Sequence, residues 1–333
     1  MPDFMFLDNF LTVLTQVAIL FLLIIIGAVA NKTKLLSVEA NKKISDVVVT
    51  IVAPSVIISS FLSSAKGSQS EILALLKNIG IFALIAAASH AVMIGLGILI
   101  FRPSDESKRK VLKFGTVFSN CGFMALPLIQ SLIDAPGGTK TGSLYAAVYI
   151  AVFNVTMWTY GYALMSGEKK LSPEKIFLNP GIIAVLIGLI IMSVPILGGN
   201  LNAVPVRLST VIEGVLNSVS ALNVPLPMFV IGYGIISADF KSGLKDLWTY
   251  VSIALRLIVY PLIAIGALYL FGVRGEMLIV AVTCIAAPVG ATTSMFATKF
   301  SLDEALSVRL VTISTLMSIV TMPLIVAFAK TIA

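Results

Sequence analysis

Ten times between Phe10 and Ala329 the chain runs through roughly 20 mostly apolar residues, about the length a helix needs to cross a bilayer core, before a short polar break interrupts it. A backbone in hydrocarbon must satisfy its own amides and carbonyls, so each run reads as a helix. The expected class is therefore an all-α integral membrane protein with ten transmembrane helices. Composition agrees, with 58% apolar and 12% charged residues and a mean hydropathy of +1.03, far from the balance of soluble domains.

The spans are predicted at residues 10–30, 44–63, 72–101, 111–133 and 143–165, then at 180–197, 208–236, 247–271, 277–300 and 305–329. The third and seventh are long enough to tilt. The polar stretch 167–178 separates two groups of five, which gives a first repeat at 1–166, a cytoplasmic linker at 167–178 and a second repeat at 179–333. The N-terminus carries Asp3 and Asp8 and lacks a basic start, so the first span is expected to be a helix and not a cleaved signal peptide.

Cytoplasmic loops of membrane proteins carry the excess of Lys and Arg. With the N-terminus outside, sixteen of the 23 basic residues fall in inside loops and six outside, with Arg256 within a span. Both termini are thus predicted to be extracytoplasmic in a multi-pass protein of the cell inner membrane. The formal +7 charge is a topology signal, and no nucleic-acid partner follows from it.

Two related halves with five spans each must insert in opposite directions, the inverted-repeat plan of many secondary transporters. Span two (Val52-Ala53-Pro54-Ser55-Val56) and span seven (Leu226-Pro227-Met228-Phe229) carry proline in corresponding places, and spans four and nine centre on Pro127 and Pro288. Span four reads Ser119-Asn120-Cys121-Gly122-Phe123-Met124-Ala125-Leu126-Pro127; span nine reads Cys284-Ile285-Ala286-Ala287-Pro288-Val289-Gly290 and then Thr292 and Thr293. Small residues and proline in mid-membrane suit a broken helix whose freed backbone lines a cavity. Spans four and nine are accordingly expected to break and cross, with Pro127 and Pro288 each opening a half-helix whose amides and positive dipole end attract an anion. The alternative is a plain proline kink.

Asn120 and Asn154 are candidate donors to a carboxylate, against the simpler reading of interhelical hydrogen bonds. Arg256, the basic residue well inside a span, is expected to face a cavity and balance the substrate's charge; snorkelling or pairing with a carbonyl is the competing expectation. His90 reads as a packed polar residue. Cys121 and Cys284 give neither a disulfide framework nor a metal pair. No acid occurs at 111–133 or 277–300, which counts against a cation antiporter, and no HExxH or mid-membrane aspartate pair supports catalysis. Neither a catalytic site nor a metal site is expected, and no cofactor.

At these residues the chain resembles the auxin efflux carrier family, which includes plant PIN auxin exporters and bacterial malate and malonate permease-like proteins. The likeness runs along most of the chain: residues 120–128, Asn154 with Trp158, Asn179-Pro180, Arg256 with Pro261, residues 286–290 and residues 315–323. It implies two inverted five-helix repeats, with spans 1, 2, 6 and 7 as a scaffold and spans 3–5 and 8–10 as a transport domain, carboxylate substrates and an elevator-like motion. It also implies that Ser55, Asn120, Asn154 and the backbone around Pro127 and Pro288, taken as Cys121, Val289, Gly290 and Thr292, line the site, with Arg256 beside it. The long hydrophilic loop of the plant proteins is missing, which favours the bacterial branch. The expected function is a carrier of a small organic anion. A sodium-coupled symporter of the bile-acid type and an anion-binding membrane receptor are the alternatives. The coupling ion, proton or sodium, is open, and the expected partners are the anion, the lipid bilayer and a second copy in a homodimer.

Overall fold

The computed structural model describes residues 2–102, 105–134, 140–168, 174, 178–199, 205–237 and 246–333. Most of the 167–178 linker, with Lys169, Lys170 and Lys175, lies outside them, as does Lys241. The described chain is helical: α1 (Pro2–Lys32), α2 (Val38–Val47), α3 (Ala53–Ser64), α4 (Gln69–Ile100), α5 (Glu106–Val117), α6 (Leu126–Leu132), α7 (Thr141–Thr156), α8 (Tyr162–Ser166), α9 (Pro180–Ile196), α10 (Val206–Ser220), α11 (Pro225–Ser237), α12 (Leu247–Ala254), α13 (Tyr260–Leu270), α14 (Gly275–Ala286), α15 (Thr292–Lys299) and α16 (Glu304–Ile332). Among the described residues six stretches are long and apolar enough to cross a membrane: Met5–Lys32, Val38–Ser64, Gln69–Ile100, Val206–Ile235, Leu247–Leu270 and Glu304–Ile332. Shorter apolar helices cover Cys121–Leu132, Pro180–Ile196 and Gly275–Ala286. The protein is a multi-pass membrane protein.

Several spans join two helices through a widened turn, and sequence gives the cause. A proline lacks an amide and crowds the carbonyl four residues back. Pro54, Pro127 and Pro261 each stand two residues after a π turn, at Val48–Val52, Cys121–Ala125 and Leu255–Val259. One extra residue per turn moves the crowded carbonyl aside and lets the helix continue past the ring. In the long stretch Val206–Ile235 a 3-10 turn, Ala221–Asn223, precedes Pro225 instead.

The helix ends are capped where the chain meets water. Ser68 and Glu71 form a capping box at α4, and Asp105, Asn179 and Asp303 accept first-turn amides at α5, α9 and α16. Between the ends the outer surface is apolar: Leu22, Leu84, Leu99, Ile190 and Val320 are exposed, an arrangement suited to lipid tails.

Helix pairs in the interior approach closely through glycine. A Cβ on Gly232 of α11 would fall 2.0 Å from the Ile24 carbonyl oxygen of α1, and one on Gly27 would fall 2.4 Å from the Phe229 carbonyl oxygen. Gly188 of α9 receives the Phe61 ring of α3. Small residues supply this kind of fit in membranes, where apolar burial drives little association between helices. Gly232→Ala is expected to cost about 1–3 kcal/mol through overpacking against rigid backbone and to lower the thermal midpoint of the detergent-solubilised protein. Gly234→Ala, where a Cβ meets nothing within 4 Å, is the control; equal melting of the two would contradict this packing.

Candidate functional site

Helix α5 ends at Val117 and α14 at Ala286, and after each the chain runs extended for a few residues. The two extended segments lie antiparallel and touch through an isolated β-bridge between Ser119 and Val289. The Asn120 amide donates to the Pro288 carbonyl at 2.7 Å, and the Gly290 amide donates to the Phe118 carbonyl at 2.9 Å. The Val289 amide donates to Ser314 Oγ of α16 at 3.0 Å. Interrupted helices can therefore sit in a dry interior, because the breaks satisfy one another. Gly290 is required by this approach: a Cβ there would lie 2.9 Å from the Ser119 carbonyl oxygen and 3.1 Å from that of Phe118.

The helices restart at Cys121 and at Thr292. The predicted restarts at the prolines are corrected on both sides. Pro127 lies inside a helix already running since Cys121, tolerated by the preceding π turn, and Pro288 lies within the extended segment itself. The Asn120 carbonyl accepts the Met124 amide at 3.0 Å, and the Gly290 carbonyl accepts the Thr293 amide at 2.9 Å. After Asn120 the amides of Cys121, Gly122 and Phe123 have no carbonyl one turn back, whereas after Ala291 the Thr293 and Ser294 amides are taken up by the Gly290 and Ala291 carbonyls at 2.9 and 3.1 Å, which leaves that of Thr292; each start also carries the positive end of its helix dipole.

Arg256 occupies the opposite, negative ends. Its side chain is 0% exposed, on the π turn between α12 and α13. Nε donates to the Ala287 carbonyl at 3.0 Å, one terminal nitrogen donates to the Thr116 and Val117 carbonyls at 3.2 Å each, and the other donates to Cys284 at 3.5 Å and to Ile285. The guanidinium thus serves the C-terminal carbonyls of α5 and α14 together. The expectation that it faces a cavity is replaced by carbonyl pairing: a charge without a carboxylate beside it is solvated by the helix-end carbonyls, which carry the negative partial charge. Met93 Sδ and the Tyr260 hydroxyl, which donates to the Met93 carbonyl, complete its surroundings.

Around this centre Phe118 packs tilted against Phe114 with centroids 4.5 Å apart and meets Phe153 edge-on at 5.4 Å. His90 packs on Tyr149 at 5.2 Å with Nδ1 at 2.8 Å from the Ala86 carbonyl, a packed polar residue. Thr292 Oγ1 stands 3.1 Å from the Cβ position of Gly290, and Thr292 and Thr293 keep buried hydroxyls without a hydrogen-bond partner.

The predicted residues thus fall into groups. Asn120, Cys121, Pro288, Val289, Gly290 and Thr292 lie together at the crossing, and Arg256 lies behind it. Asn154 stands apart, with Nδ2 3.5 Å from the Cβ position of Gly181, at the start of α9, where Asn179 Oδ1 accepts the Gly181 amide at 2.9 Å. Ser55 donates to Ile51 of its own span at 2.8 Å. Phe118, Ser119, Ser314 and Thr116 take part in the crossing without having been expected; they do so through backbone groups or one hydroxyl, which a sequence pattern does not single out.

A family model described as "Membrane transport protein" matches residues 12–176 and 169–326. A protein of Methanothermobacter thermautotrophicus described as an uncharacterized transporter is 24% identical over 306 residues, covering 91% of this chain and 93% of the relative. With a broken-helix crossing inside a multi-pass helical body and a family match over most of its length, the chain belongs to the membrane transport protein family, that of the auxin efflux carriers.

Proposed function

We propose that this transporter is a carrier of a small organic anion, a carboxylate, which binds at the crossing against the first-turn amides after Asn120 and the amide of Thr292. The observation that carries the reading is the division of charge. Two broken helices bring two negative and two positive ends together; Arg256 takes the negative ends, and the positive ends remain for a ligand anion. Asn120 is the residue from which the first half-helix starts.

Ten spans follow if the six long stretches are joined by four more: α5 with α6, α7 with α8, α9, and α14 with α15. The two stretches of the family match divide at 169–176, near the middle of that order. An inverted repeat is supported by the two breaks in spans four and nine and by Pro54 and Pro227 in spans two and seven. Packing of α1 on α11 and of α3 on α9 and α10 supports a scaffold of spans 1, 2, 6 and 7, with the remaining spans moving past it as an elevator. The two bodies meet along α1 and α16, among other contacts. Sodium coupling is a second reading, favoured by the unpartnered hydroxyls of Thr292 and Thr293 beside the crossing. Uptake into proteoliposomes that ignores a sodium gradient would remove it.

Replacing Asn120 with alanine deletes an amide donor at the proposed anion site. Loss of a hydrogen bond to a charged group costs roughly 1.5 to 3 kcal/mol, so about 10- to 150-fold in affinity is the expected loss. Asn120→Asp, nearly the same shape with a repelling charge, is expected to bind more weakly still. The measurement is titration of both folded variants with the best ligand from a thermal-shift screen of mono- and dicarboxylates; near wild-type affinity for Asn120→Asp would put the anion elsewhere.

Both termini are expected on the extracytoplasmic side, from the excess of basic residues in the loops assigned inside. Cysteines introduced near Asp3 and Thr331 should react with an impermeant thiol reagent on intact cells. Reaction only after permeabilisation would reverse the topology.

A further inference from the structure

We infer that Lys140, with Ser59 and Asn217, and Gln130, with Asn223, form a polar clasp that closes the substrate path at the end of the molecule carrying both termini. The inference rests on the division into scaffold and transport bodies proposed above. Lys140 stands at the foot of α7, on the transport side. Its ammonium donates to Ser59 Oγ of α3 at 2.8 Å and to Asn217 Oδ1 of α10 at 2.7 Å, both on the scaffold. Deeper in, Asn223 Nδ2, on the 3-10 turn after α10, donates to Gln130 Oε1 of α6 at 3.1 Å.

Gln130 stands on the half-helix that starts at the crossing with Cys121, and Lys140 lies beyond the end of that half-helix. The contacts therefore follow one line from the crossing outward. Two more bonds join the bodies at the same end: Asn9 Nδ2 donates to Thr331 Oγ1 at 3.3 Å, and Gln69 Nε2 donates to the Ile196 carbonyl at 3.1 Å. A chain of ten crossings returns to the starting end after every second one. Residues 9, 69, 140, 196 and 331 consequently share one end whichever way the protein is inserted.

The chemistry of these contacts is that of a closure that opens. Lys140 is held by neutral oxygens, while the acids nearest to it are engaged elsewhere, Asp134 with Ser143 and Glu213 with Lys66 at 2.8 Å. Water can replace neutral acceptors at small net cost. Asn223 is 0% exposed and its Oδ1 has no partner, so the closed state leaves one acceptor unsatisfied. A carrier needs a closed state of this kind, bonded strongly enough to exclude leakage and weakly enough to exchange.

The test uses Gly122, half-buried on the restarted half-helix, where a Cβ meets nothing within 4 Å. Gly122→Cys in the full chain is labelled with a membrane-impermeant thiol reagent from each side, with the chain lacking that substitution giving the background from Cys121 and Cys284. Adding Lys140→Gln is expected to raise the rate from the termini side about tenfold, the effect of losing charged hydrogen bonds, and to lower the rate from the opposite side as the population shifts. Lys140→Arg, which keeps charge and donors, should stay near the parental rate, and Gln130→Ala, which leaves the buried Asn223 Nδ2 without its acceptor in the closed state, should act like Lys140→Gln. Parental rates from both sides in Lys140→Gln and in Gln130→Ala would overturn the clasp alone. Absence of labelling from either side in every background would instead take the crossing off the path, and the carrier reading would fail with the clasp.

Discussion

The contact on which the rest depends is the guanidinium of Arg256 against the carbonyls of α5 and α14. Breaking two helices in the buried interior of a membrane protein exposes four helix ends, and an unsatisfied backbone group in an apolar interior costs several kcal/mol. One arginine serves the carbonyls of Thr116, Val117, Cys284, Ile285 and Ala287. A fixed planar fork of donors can reach acceptors on two helix ends at once, which a lysine ammonium on its flexible stem does less well. The arginine benefits in turn: its burial would be prohibitive without partners, and here the partners are dipole ends that favour a cation.

What remains of the breaks is settled by short-range chemistry. The Ser119 and Val289 segments exchange two backbone hydrogen bonds, Ser314 receives a third amide, and Gly290 has no side chain to hold the strands apart. The crossing is thereby rigid on the side of Arg256. On the side of the restarted helices it presents amides, small residues and the unpartnered hydroxyls of Thr292 and Thr293. This asymmetry is what the proposed function rests on: the same break that needs a cation for its carbonyls would give its amides to an anion.

Much of this was legible in the sequence. The stretch expected at 247–271 runs Leu247–Leu270, and that expected at 180–197 is the shorter apolar helix Pro180–Ile196, because apolar length and helix ends leave direct marks in composition. Breaks in spans four and nine were legible from proline among small residues. Their location was not: Pro127 attracts attention as a helix breaker, yet a π turn accommodates it, and the true break lies at Ser119 and Asn120, whose role comes from pairing with residues far along the chain. The partners of Arg256 are carbonyls, which every residue has, so no pattern betrays them. Gln130 with Asn223 and Lys140 with Asn217 are likewise invisible, since each pair joins residues a long way apart in sequence through side chains that look like ordinary span-end polarity.

The most direct test of the account is an experimental structure of the full-length protein in lipid with a bound carboxylate, taken from the ligand screen. The carboxylate oxygens are expected about 3 Å from the first-turn amides after Asn120 and the amide of Thr292, with Arg256 still donating to the carbonyls of α5 and α14. A carboxylate bound directly to the Arg256 guanidinium, with those carbonyls released, would contradict it.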